Sequence, residues 1–206
     1  MQEGMTVYIP PQATLARVRT KKLMYMAVFL IIMSVLLWIG SFWALYGRQT
    51  VAPALSYVAL LVLSLVTDRA GYSILPINST ILTGWLCMTL VVMISSALQP
   101  EPVRRQTRGM TYIMGGGITG LALGLLGFTF LTDLSALYAC MILATVAGIF
   151  LGFLLYTNTP DGRPIRPGSG NFFRYLLAKG FPTAITLMQL GVALVLVIAL
   201  YNINGI

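Results

Sequence analysis

Apolar residues in this chain come in six long runs, 23–46, 51–66, 81–98, 110–131, 134–156 and 181–203, separated by short polar breaks. None shows the strict two-residue alternation of a half-buried strand, and several reach the roughly 20 residues that cross a bilayer core. Long runs with weak alternation also argue against a transmembrane β-barrel. A soluble helix shows one polar face, and these runs are apolar all round. The pattern predicts an all-α, polytopic integral membrane protein of about six hydrophobic helices: a single transmembrane domain over 23–206, preceded by a basic lead-in over 1–22.

Two neighbouring runs carry a second pattern. The fourth places Gly116, Gly120 and Gly124 at steps of four, and the fifth places Ala144, Gly148 and Gly152 at the same step. A step of four returns to nearly the same helix face, so each helix gains a flat side that a neighbouring backbone can approach closely. Only Thr132 and Asp133 separate the runs. A tight antiparallel hairpin of the fourth and fifth helices is expected, packed through these ladders.

The breaks between runs have their own signatures. Pro10-Pro11 interrupts any helix there, and the segment from Ala13 to Lys22 reads as a short amphipathic surface helix or an unstructured lead-in. Trp38, Trp43 and Tyr46 gather at the end of the first run, where aromatic belts sit. Residues 157–180 open with a loop rich in proline and glycine. The following FFRYLLAKGF reads as an interfacial helix whose basic side chains reach the headgroups.

Composition sharpens this picture. Only 9% of residues are charged, against about 25% in soluble domains, which leaves a membrane as the solvent. The net charge is +8. In a membrane protein that excess points to cytoplasmic loops and anionic lipid headgroups, contacted by Arg104, Arg105, Arg108, Arg163, Arg166, Arg174 and Lys179. No basic stretch interleaves with stacking aromatics, so no nucleic acid is expected. Cys87 and Cys140 lie inside apolar runs and read as small buried packing residues.

Loop charge constrains orientation. If all six runs cross, placing 99–109 and 157–180 inside puts Arg48 with them, for eight basic residues inside and five outside. If 51–98 crosses only once, through a re-entrant or surface-lying segment, the split becomes eleven to two, a better fit to the positive-inside rule. Apolar length favours six crossings. Both readings put 99–109 and 157–180 in the cytoplasm of a bacterial cell and the C-terminus outside, and they disagree about the N-terminus.

Candidate chemistry is sparse. Asp68 and Arg69 interrupt apolar sequence and form either a plain turn or a buried ion pair. With Asn78 and Gln189 they make up the one candidate polar site inside the membrane. A lone amide such as Gln189 is more often an interhelical tie than a ligand contact. The chain has no His and its carboxylates are scattered one per loop, so no metal site, cofactor site or catalytic residue is assigned. These features point to a non-catalytic subunit or assembly factor of a larger bacterial membrane complex, with other membrane subunits as partners. A small-solute channel or transporter is the alternative. An enzyme holding lipid phosphates with its arginines is a third reading.

Overall fold

In a computed structural model the backbone is described for residues 11–69, 79–105, 107–127, 134–165 and 167–204. Side chains are not described at 11–24, 27, 66–69, 79–80, 134–135 and 196–204. The described chain is helical: α1 (Pro11–Gly47), α2 (Ala52–Arg69), α3 (Ser79–Ala97), α4 (Glu101–Arg105), α5 (Met110–Leu126), α6 (Leu134–Thr157), a 3-10 turn (Pro160–Ile165), α7 (Gly170–Tyr175), a π turn (Leu176–Gly180) and α8 (Phe181–Asn204). Three stretches are long and apolar enough to cross a membrane: Val28–Gly47, Ala136–Thr157 and Gly170–Val195. Shorter apolar helices lie at Ala52–Leu65, Ile81–Ala97 and Met110–Leu126.

α1 differs from its expected shape. It begins at Pro11, where a missing N–H costs nothing because the first helical amides have no internal partner. It then runs unbroken for 37 residues, so residues 11–22 of the basic lead-in belong to the first helix. It packs along α2 and, more lightly, against α8, while Phe29, Ile32, Leu36, Ile39 and Trp43 are all exposed. Outward apolar surface of this extent is what lipid requires. Trp38, expected in the aromatic belt, is buried among Ala59, Leu60 and Leu63.

The centre of the molecule is the last helical stretch. An 18-residue apolar stretch within Gly170–Val195 is 83% buried, against 22% for the matching stretch of Val28–Gly47 and 33% for that of Ala136–Thr157. α8 touches α1, α2, α3, α5 and α6. Its Val192 and Val195 fill one core cluster with Leu60, Leu121 and Met141, and its Leu187 another with Ile113 and Ile149.

α5 and α6 meet through their small residues. A methyl group on Gly116 would strike the Gly148 carbonyl, and one on Gly120 would strike the Ala144 carbonyl. One on Gly124 would lie 2.6 Å from the Met141 Cα. A methyl on Gly152 would strike the Tyr112 carbonyl. Thr132 and Asp133 lie outside the described residues.

The cysteines depart from expectation. Cys87 is exposed and Cys140 half-buried. α3 is apolar all round, so the composition around Cys87 does not mark which side meets protein.

Candidate functional site

The site grows from a defect in the central helix. Pro182 has no N–H, so it cannot bond the carbonyl of Ala178 four residues back. The Ser96 hydroxyl, from the end of α3, donates to that orphaned carbonyl at 3.4 Å. One turn earlier the Phe181 amide reaches back five residues to the Leu176 carbonyl, the bond that defines a π turn. Such bulges inside helices often mark functional positions.

Lys179 stands in this π turn and is completely buried. This corrects the expectation that it reaches lipid headgroups beside Arg174. An uninterrupted helical stretch replaces the surface helix, and its bulge turns Lys179 into the protein. A buried ammonium needs acceptors. Lys179 Nζ donates to the side-chain oxygen of Gln49 and to the backbone carbonyl of Arg104. Among the described residues, no carboxylate lies within ion-pair reach of it.

Three segments far apart in sequence therefore meet: the 47–50 turn, α4 and the π turn. The Tyr175 hydroxyl adds a fourth tie, donating to the Arg108 carbonyl at 2.7 Å. Its ring stacks on Phe153 and Tyr156 at the end of α6, with centroids 5.6 and 6.1 Å away.

Beside Lys179 lies a pocket of about 320 Å³, lined by Arg48, Gln49, Ser96, Glu101, Arg104 and Arg105 among others. Glu101 pairs with Arg105 at 3.4 Å and with Arg104 at 3.9 Å, both partly solvated. Gln49 is 4% exposed, and with its oxygen held by Lys179, its buried Nε2 has no acceptor. The buried Nε of Arg104 has none either.

The remaining candidates are dispersed. Gln189 is buried in the middle of α8 and bonded at both ends: it accepts from Ser56 of α2 and donates to Thr89 of α3 at 2.9 Å. Asp68 and Arg69 are the last residues of α2, with side chains outside the described set. Asn78 and Arg166 lie outside the described residues. Nothing described brings Gln189 together with those three intramembrane candidates. Arg105, Arg108, Arg163 and Arg174 are exposed, with Arg108 paired to Asp161 at 3.6 Å. Alongside the α5–α6 ladder runs an apolar groove of about 640 Å³, lined by Tyr112, Gly116, Gly120, Ala147 and Leu151 among others.

Gln49 was not singled out by the sequence, where it is one polar residue in a four-residue turn. The available signal was a lysine two residues before the last apolar run, close to Pro182.

Comparison with protein-family models, with curated proteins and with solved structures finds no match to this chain.

Proposed function

We propose that the chain is a non-catalytic, multi-pass subunit or assembly factor of a larger membrane complex in the bacterial cytoplasmic membrane. The observation that carries this reading is the double tie of Gln189. A solute path through the bundle would need polar groups with free valences. The amide deepest in the core instead has both ends engaged, joining α2, α3 and α8. The interior polar group therefore serves packing, as hydrogen bonds between membrane helices commonly do.

The arrangement we propose has six crossings, with 99–109 and 157–180 in the cytoplasm and the C-terminus outside. Its support is Lys179, which donates both to Gln49 and to the Arg104 carbonyl. Six crossings place the 47–50 turn on the side of both basic loops, whereas a single crossing of 51–98 places it opposite. The fourth and fifth spans form an antiparallel hairpin in this reading, because ladder contacts move down α6 as they move up α5.

The test is extraction in mild detergent, followed by mass determination and identification of co-purifying proteins. A stable hetero-complex containing this chain is expected. A homogeneous monomer or homo-oligomer that mediates solute flux in vesicles would overturn the subunit reading.

A further inference from the structure

We infer that the pocket between the 47–50 turn and α4 binds a phosphate-bearing anion. Two independent features of the pocket converge on this chemistry. The first is an excess of cations: Arg48, Arg104 and Arg105 line it against the single carboxylate of Glu101. Lys179 sits one contact behind, bonded to two of the lining residues. The second is a pair of unmet donors. The Lys179 bond fixes the Gln49 amide with its oxygen inward, which leaves the buried Nε2 hydrogens for another acceptor. The Arg104 Nε hydrogen is in the same state.

Buried donors without acceptors are costly, and neither of these two has a hydrogen-bond partner among the described residues. An oxyanion in the pocket balances the arginines with charge-assisted bonds and brings acceptor oxygens beside Gln49 and Arg104, the residues that carry the two unmet donors. Glu101 competes for the same guanidinium groups. Its carboxylate is 63% exposed, so it can yield Arg105 to an incoming anion. The phosphate has two sources, a lipid headgroup at the membrane surface or a soluble phosphate.

The experiment uses the purified full-length chain in neutral detergent and reads saturable thermal stabilisation. One arm titrates inorganic phosphate against chloride at equal ionic strength. The other titrates short-chain phosphatidylglycerol against phosphatidylcholine. Stabilisation by phosphatidylglycerol alone identifies a lipid headgroup, and stabilisation by inorganic phosphate identifies a site that soluble phosphate fills. In either case Arg48→Gln combined with Arg105→Gln should weaken binding by about tenfold or more, because charge-assisted contacts are lost. Glu101→Gln should tighten it. All three positions are exposed, so these variants leave the buried cluster intact. The inference is overturned if neither ligand stabilises the protein beyond its control. It is also overturned if the arginine pair and Glu101→Gln leave the response unchanged. No partner protein enters this measurement, so its outcome is independent of the subunit reading.

Discussion

Lys179 gives one of its ammonium hydrogens to the side chain of Gln49, a residue 130 positions earlier in the chain. The bond joins the turn after α1 to the π turn before α8, and both groups are buried. Replacing Gln49 with Leu removes one acceptor from a buried cation. The expected cost is about 1–3 kcal/mol, the penalty of an unmet buried group. Lys179→Met removes the charge itself, so adding it to Gln49→Leu should restore part of the loss. Unfolding of both single variants and the double variant in detergent measures the coupling. Effects that add within about 0.5 kcal/mol would show that the two side chains act independently.

Gln189 supports a prediction with a chemical order. Gln189→Leu loses the bonds to Ser56 and Thr89, but Thr89 keeps its donation to the Trp85 carbonyl, and Ser56 can give its one hydroxyl proton to the Pro53 carbonyl instead. The loss should be modest, about 1 kcal/mol, in line with hydrogen bonds between membrane helices. Gln189→Glu is nearly isosteric yet places a carboxylate where Thr89 already donates to Trp85, so the acid must stay protonated or be charged without a cation. It should be the less stable variant at neutral pH, and the gap should narrow as pH falls and the carboxyl takes up a proton. Thermal melts at several pH values check the order. A Glu variant as stable as the Leu variant at neutral pH would show that the position is wetted.

The glycine ladder makes its own contrast. A methyl at Gly120 would collide with the backbone of α6, whereas one at Gly115 meets nothing within 4 Å. Gly120→Ala should therefore destabilise by about 1–3 kcal/mol through overpacking. Gly115→Ala should be neutral or stabilising by up to about 1 kcal/mol, because alanine is the better helix former. Melting temperatures of the two variants decide it, and equal behaviour would remove the ladder as the contact between the helices.

The helical, membrane-compatible character of the chain was legible because it rests on run length and apolarity, which are local. The small-residue ladder was legible because a step of four is itself a statement about one helix face. The centre of the molecule was not legible. α8 looks like any other apolar run, and only its burial against five helices marks it. Lys179 was misplaced for a definable reason: the π turn breaks the 3.6-residue period, so spacing could not say which side the ammonium takes. Cys87 failed similarly, since an apolar run does not distinguish a lipid-facing side from a packed one. Gln49 becomes informative only through Lys179, 130 residues away, whose ammonium also reaches the Arg104 carbonyl of α4.

The meeting of the 47–50 turn with both basic loops yields a sidedness prediction that separates the two topologies. In a background lacking Cys87 and Cys140, single cysteines are placed at Arg48, Thr107 and Asn171, all exposed positions. With six crossings all three face the cytoplasm and resist a membrane-impermeant thiol reagent in intact cells, then react once the membrane is permeabilised. With a single crossing of 51–98, the cysteine at Arg48 reacts in intact cells while those at Thr107 and Asn171 do not. The positive-inside rule alone prefers the second outcome, because it gathers eleven basic residues on one side. The buried bonds from Lys179 to Gln49 and to the Arg104 carbonyl favour the first. Positive-inside bias acts through many solvated charges that each contribute little, and breaking a buried polar contact is costly. Protection of all three cysteines is therefore the expected result. Labelling of the cysteine at Arg48 alone in intact cells would mean that Lys179 and Gln49 do not meet in the membrane.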